Sequence, residues 1–195
     1  MKENANCDNM ECEIRVLEIN IKEIASKLKA LGAEKLWART FNRIVLDFPD
    51  KQLEKEQSWI RLRTDGKEHS ITLKQILNKE IDGTKEIEIK VSDFEETRAL
   101  LKHLGLQELY LQENKRTHFK YKDIEFDIDE WPLIPPYLEI EAGSKERVLE
   151  GLKMLGFSEE QATTLHGKEI YSHYGIDAHS FKELKFGIEK NEKQQ

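Results

Sequence analysis

Apolar and charged residues alternate along this chain with two periods, and the switch between them divides it into strands and helices. Period two comes first. Glu11, Glu13 and Arg15 share a face opposite Cys12, Ile14 and Val16. Arg61 and Arg63 alternate with Ile60 and Leu62, and Thr72 and Lys74 with Ile71 and Leu73. Further on, Glu86, Glu88 and Lys90 oppose Ile87, Ile89 and Val91, while Arg116, His118 and Lys120 oppose Phe119 and Tyr121. Glu125, Asp127 and Asp129 lie opposite Ile124, Phe126 and Ile128, and Glu139 and Glu141 opposite Leu138 and Ile140. Together with Phe41 to Phe48, these segments predict about eight amphipathic strands of an antiparallel sheet.

The helical period appears between them. Ile21, Ile24, Ala25, Leu28 and Leu31 fall on one face at spacings of three and four. A second helix is predicted to open at the capping box Ser92-x-x-Glu95 and run through Phe94, Leu100, Leu101 and Leu104. A third gathers Val148, Leu149, Leu152 and Leu155. Each is followed by a glycine suited to a left-handed C-cap. Shorter helical stretches are expected from Ser158-x-x-Gln161 and around Ile170 to Tyr174. Three times, then, a Glu-x-Glu strand runs into a helix ending in Leu-Gly: Glu11 to Gly32, Glu86 to Gly105, and Glu139 to Gly156. The shifting spacing implies related supersecondary units and not a solenoid of fixed period.

Charge at period two ordinarily marks the solvated face of a sheet, a reading that gives none of these residues a function. Two features pull the other way. The charge is sorted by strand: Arg61/Arg63 and Arg116/Lys120 are basic, whereas Glu125 to Asp129 and Glu139/Glu141 are acidic. The helices, moreover, need an apolar surface to cover. If the sheet curls into a barrel with helices packed outside, its apolar face points outward and its charged face lines the interior. Small barrels are usually filled with apolar side chains, so a charged lining is costly unless a ligand or water compensates it. A triphosphate chelated to Mg²⁺ or Mn²⁺ compensates both signs, because arginine forks and lysines match phosphate oxygens and carboxylates bind hard cations.

Composition narrows the classes further. The 195 residues fit one domain, 1–195, with a core over about 9–175 and a helical C-terminal tail. With 38 acidic and 31 basic residues the net charge is −7, which argues against a nucleic-acid partner. Met1 to Asn4 carries no apolar run, and no window approaches the roughly 18 apolar residues of a membrane span, so a cytoplasmic protein with no membrane partner is expected. Cys7 and Cys12 imply neither a disulfide framework nor a zinc site. No glycine-rich phosphate loop, nucleophile motif or metal-binding histidine spacing is present. Trp59, Trp131 and Tyr137 are compatible with a base-stacking surface or with plain rim packing, and His118 with a phosphate contact or a structural role. A homodimer is an open expectation, since neither a heptad nor an apolar patch identifies an interface.

Several motifs, in order, resemble the CYTH superfamily of triphosphate tunnel metalloenzymes, named for class IV adenylyl cyclases and thiamine triphosphatases. Glu11-Cys12-Glu13-Ile14-Arg15 stands where that family has Glu-x-Glu-x-Lys, and Trp59-Ile60-Arg61-Leu62-Arg63 is similar to its Arg-x-Arg strand. Thr72-Leu73-Lys74, Lys115-Arg116, and Asp129 followed by Glu139-Ile140-Glu141 match the remaining signatures. The stretch Asp129 to Glu141, with Tyr174-Gly175-Ile176-Asp177, looks like a bacterial subgroup labelled as adenylyl cyclases. Two positions depart from the pattern: Arg15 replaces lysine, and Asn114 stands where many relatives have lysine.

The resemblance implies an α+β fold, a closed or nearly closed eight-stranded antiparallel barrel with helices outside. It implies that Arg15, Arg61, Arg63, Lys74, Arg116 and Lys120 bind substrate. Glu11, Glu13, Glu139 and Glu141 would be catalytic and, with Asp129, hold Mg²⁺ or Mn²⁺. The implied activity is hydrolysis of a triphosphate such as tripolyphosphate, thiamine triphosphate or ATP. Cyclisation of ATP to cyclic AMP and pyrophosphate, and non-catalytic polyphosphate or nucleotide binding, remain the alternatives.

Overall fold

A computed structural model describes residues 10–188. Cys7 and the last residues of the tail lie outside the described residues. The strands are β1 (Met10–Val16), β2 (Glu34–Asp47), β3 (Ser58–Thr64), β4 (His69–Ile76), β5 (Thr84–Val91), β6 (Gln107–Tyr121), β7 (Ile124–Glu130) and β8 (Tyr137–Ala142). They pair antiparallel in the order β6-β2-β3-β4-β5-β1-β8-β7, and β6 pairs with β7 to close an eight-stranded barrel. The helices are α1 (Ile21–Ala30), a short α2 (Gln52–Lys55), α3 (Phe94–His103), α4 (Lys145–Met154) and α5 (Gly167–His173). Two-residue strands β9 (Ala162–Thr163) and β10 (Glu183–Leu184) add to β1 and, in parallel, to β6.

The apolar face of the barrel points outward, as the helices require. Ile14 and Val16 of β1, Ile124, Phe126 and Ile128 of β7, and Leu138 and Ile140 of β8 are buried with Ile24 and Leu28 of α1 and Val148 and Leu152 of α4. A second cluster sets Ile44 and Leu46 of β2 and Leu62 of β3 under Leu101 of α3. Helix cover ends before β5, whose Ile87 and Ile89 remain exposed. Helix α4 approaches the sheet closely because Gly151 carries no side chain there. A Cβ at that position would lie 3.0 Å from Ile124 Cγ2 and 3.1 Å from Ile140 Cγ2.

The three Glu-x-Glu units become β1–α1, β5–α3 and β8–α4, and their closing glycines Gly32, Gly105 and Gly156 have φ of +82°, +96° and +82°. Three details differ from the sequence expectation. The N-cap of α3 is Asp93, not Ser92: the Asp93 carboxylate accepts from Glu96 N at 2.7 Å, and helical geometry begins one residue later. Strand β2 starts at Glu34, because its largely exposed first half pairs along β6 in a ribbon without a buried face to signal it. The chain beyond α5 forms a 3₁₀ turn (Ala178–Ser180) and β10, which returns to the barrel.

Replacing Gly151 with valine should overpack this contact and cost about 1–3 kcal/mol of stability. Urea unfolding checks it; an unchanged midpoint would mean that α4 does not sit this close to β7 and β8.

Candidate active site in the barrel lumen

The strand order gathers charges that the sequence scatters. The Glu-x-Glu strands β5, β1 and β8 are neighbours, and β7 extends them into an acidic arc. The remaining strands β6, β2, β3 and β4 form a basic arc. Of the eleven candidate residues, eight line one cavity of about 810 Å³: Glu11, Arg15, Arg61, Arg63, Lys74, Arg116, Glu139 and Glu141. Three lie off its surface. Glu13 is buried behind Arg15, Asp129 is fully covered under Arg116, and Lys120 is half-exposed beside the β6–β7 turn, where it donates to Glu125.

Glu139 links the two arcs. Its Oε2 accepts from Arg15 Nε at 2.9 Å and its Oε1 from Arg116 Nη2 at 2.9 Å. Arg15 also meets Glu13 Oε2 at 2.8 Å and donates to the Leu165 carbonyl at 3.2 Å. Arg116 donates to Asp127 Oδ2 at 2.8 Å and to both oxygens of Asp129, at 3.0 and 2.5 Å. Asn114 donates to Asp129 Oδ1 at 3.0 Å and so orients that carboxylate. Across the lumen, Lys74 Nζ sits 2.7 Å from Glu11 and 2.6 Å from Glu86. Arg61 and Arg63 share the one carboxylate of Glu88 at 3.3 and 3.1 Å.

These contacts push neighbouring carboxyls apart in acidity. Burial opposes ionisation of Glu139, but Arg116 and Arg15 hold it far below the usual carboxylate range. Glu13 is likewise lowered, by Arg15 and Lys74 against its burial. Glu141 has no such partner among the described residues. Burial and the carboxylates of Glu11, Glu139 and Glu13 push it up to about 8. Burial also lifts Glu11 against the pull of Lys74, and lowers His166 to about 4 with help from Arg15.

The oxygen donors of the acidic arc have the chemistry a hard divalent cation requires. Glu13 Oε1 is a buried acceptor that receives no hydrogen bond, whereas Glu86 Oε2 has Lys74 Nζ at 2.6 Å. Among the described residues no three carboxylate, histidine or cysteine side chains are drawn together as a metal cluster; Glu11, Glu13 and Glu139 turn instead to Lys74 and Arg15.

Several lumen residues were not singled out as site residues from the sequence. Glu86 and Glu88 were visible as a Glu-x-Glu repeat, and Asp127 as the middle of an acidic strand. Arg43 gave no signal, because its inward neighbours Phe41 and Val45 are apolar and β2 shows no charge alternation. His118 is a satisfied structural histidine, with Nδ1 2.7 Å from Asp127 Oδ1 and its ring stacked on Trp37 at 4.8 Å. Trp131 packs edge-on to Tyr171, whose hydroxyl donates to Pro132 O at 2.8 Å, and α5 thereby forms one side of the cavity.

A closed antiparallel barrel with its apolar face outward and an acidic and a basic arc inside is a charged tunnel. The chain belongs to the CYTH domain family, whose model matches residues 9–165. A protein of Methanocaldococcus jannaschii named "Putative adenylate cyclase" is 28% identical over 161 residues, covering 77% of this chain and 92% of that protein. The fold is shared with a Vibrio parahaemolyticus protein described as a "putative adenylate cyclase" (TM-score 0.74, 15% identity, 84% of this chain and 98% of the other). It is shared too with a Hippeastrum "putative adenylyl cyclase" described as having a dominant triphosphatase activity (TM-score 0.59, 18% identity, 86% and 97% covered).

Between about pH 4.5 and about 8 the folded protein keeps a proton on Glu141 that the unfolded chain has lost, so this group's contribution to stability falls as pH rises through that window. Without metal, Glu141→Gln should therefore lose less melting temperature than the parent between about pH 5 and about pH 8.5. Parallel pH profiles would show that Glu141 ionises normally.

Proposed function

We propose that this chain is a divalent-metal-dependent enzyme that hydrolyses a triphosphate-bearing substrate within the barrel. The observation that carries the reading is the division of the lumen: a basic arc where two arginines share one carboxylate faces an acidic arc where Glu13 Oε1 accepts no hydrogen bond and Glu141 has no cation in ion-pair contact among the described residues. A metal–triphosphate complex is complementary to both. Mg²⁺ or Mn²⁺, when bound, neutralises phosphate oxygens and makes the phosphorus more electrophilic.

Arg61 and Arg63 would grip the phosphate chain by N–H donors, Lys74 by a point charge, and Arg116, most of whose N–H groups are engaged by Asp127, Asp129 and Glu139, by its charge and its remaining donor. Glu11, Glu139 and Glu141 would face the cation, backed by Glu13. Asp129, assigned to the same wall from the sequence, would act by fixing the Arg116 guanidinium. Arg15 keeps Glu13 and Glu139 ionised and aimed inward. Glu141, whose proton a cation bound beside it would displace, would then be able to take the proton of an attacking water. Lys120, near the β6–β7 turn, would attract the anion on entry.

Four of the wall's aromatic rings are already engaged, which favours hydrolysis over base recognition, while Trp59 has no such partner among the described residues. Trp37 carries Arg39 at 4.9 Å, Phe41 carries Arg63 at 4.7 Å, Trp131 carries Arg43 at 4.8 Å, and Tyr110 stacks on His179 at 4.3 Å. Cation or imidazole already occupies a face on which adenine could lie. Cyclisation of ATP is the second reading, favoured by the name of the M. jannaschii relative. There the ribose 3′-hydroxyl attacks the α-phosphorus and pyrophosphate leaves.

Incubation with tripolyphosphate, thiamine triphosphate or ATP, each with Mg²⁺ or Mn²⁺, should release phosphate without cyclic AMP. Cyclic AMP with pyrophosphate from ATP would replace this reading with the second; no product from any substrate would leave a binding module. Glu139→Gln should lower turnover at least about a hundredfold while the circular dichroism stays native, and activity within a few-fold of the parent would sink the carboxylate assignment. Arg61→Ala should act mainly on substrate affinity, and an unchanged affinity would remove Arg61 from the binding wall.

A further inference from the structure

Arg43 is the lumen cation that the ion-pair network leaves out. Alternation along β2 sends Ile44 and Leu46 outward beneath α3 and turns Arg43 inward, where it is 5% exposed. Arg15, Arg39, Arg61, Arg63 and Arg116 each meet at least one carboxylate within ion-pair distance. Among the described residues Arg43 meets none, and its Nε and Nη2 are buried without an acceptor. Its surroundings add to the cost: burial, then the positive charges of Arg61, Arg116 and Arg63, depress its basicity well below that of a free guanidinium, with Asp129 opposing.

What holds Arg43 is aromatic. Its guanidinium carbon lies 4.8 Å from the Trp131 ring centroid and 5.9 Å from that of Phe41. Stacking uses the face of a guanidinium and leaves the N–H groups on its edge free to donate. Arg63, the cross-strand partner of Arg43, lies 4.7 Å from the same Phe41 ring. The orphaned polar atoms along this side are mostly donors, Arg43 Nε and Nη2, Arg61 Nε and Trp131 Nε1, the exception being Asn114 Oδ1 cross-strand from Phe41. Buried donors without acceptors, gathered around surplus positive charge, call for an anion with several acceptor oxygens.

We propose that Arg43 is a substrate-binding residue of the lumen, holding a phosphoryl group together with Arg63. The proposal rests on the triphosphate reading above but names a ligand outside the motifs that suggested it. An anion ligand and a structural arginine differ in how their removal acts on the empty protein. Arg43→Met keeps the apolar contact with the rings and removes a buried, unpaired charge. The ligand-free melting temperature should therefore stay the same or rise, while tripolyphosphate affinity falls by about tenfold to a hundredfold.

Calorimetric titration of tripolyphosphate with Mg²⁺ into the parent and the Arg43→Met and Arg43→Lys variants, beside thermal melts of each, tests this. The lysine variant keeps the charge and should lose affinity by a smaller factor. Methionine-variant affinity within twofold of the parent overturns the proposal, whatever the melts show. Should that variant not fold, undiminished affinity in the lysine variant overturns it instead. Parent protein that binds without turnover, with binding weakened in the variants, upholds Arg43 and removes only the catalytic reading. A parent that binds no tripolyphosphate overturns both.

Discussion

Glu139 receives Arg15 on one carboxylate oxygen and Arg116 on the other, and the arrangement of the lumen follows from that shared position. Arg15 brings in Glu13, and Arg116 brings in Asp127 and Asp129, so two guanidiniums and four carboxylates form one connected set spanning β1, β6, β7 and β8. Within this set every member is paired, which offsets the cost of burying charge at this density. Removing a single partner from a buried ion pair costs about 3–5 kcal/mol, because the charge left behind has no water to turn to. The apolar side chains that would fill an ordinary small barrel are used on its outside, under α1, α3 and α4.

Pairing is uneven around the lumen. The wall around Glu139 is closely satisfied, whereas Arg61 and Arg63 divide one carboxylate and Glu141 lies among other carboxylates without a cation among the described residues. Positive charge is thus in surplus on one arc and negative charge on the other. A metal–polyphosphate complex offers both missing counter-charges at once. On the proposed reading, binding would exchange contacts such as Lys74 to Glu11 for contacts to the ligand.

Much of this was legible in the chain. Period-two charge, its sorting by strand, and helices in need of an apolar surface left a barrel with charge inside open beside a solvated face, and the family resemblance decided for the barrel; the Leu-Gly repeat located α1, α3 and α4. Strand adjacency was not legible. Nothing local announces that β5, β1 and β8 are neighbours, and it is this order that gathers the acidic arc. Nor could β10 be read, since two residues pairing with β6 carry no period of their own. Arg43 escaped notice because β2 places it between inward Phe41 and Val45, so its burial shows only once the barrel closes. At α3, Ser92 and Asp93 both suit an N-cap, and the capping bond chose between them.

Joint occupation of the two arcs is the central claim, and thermal melts test it most directly: protein alone, with Mg²⁺, with tripolyphosphate, and with both at saturation. Each ligand alone satisfies one arc, so the account predicts that the two together raise the melting temperature by more than the sum of their separate shifts. A shift from both that is no larger than the sum, or smaller than that of tripolyphosphate alone, would contradict it.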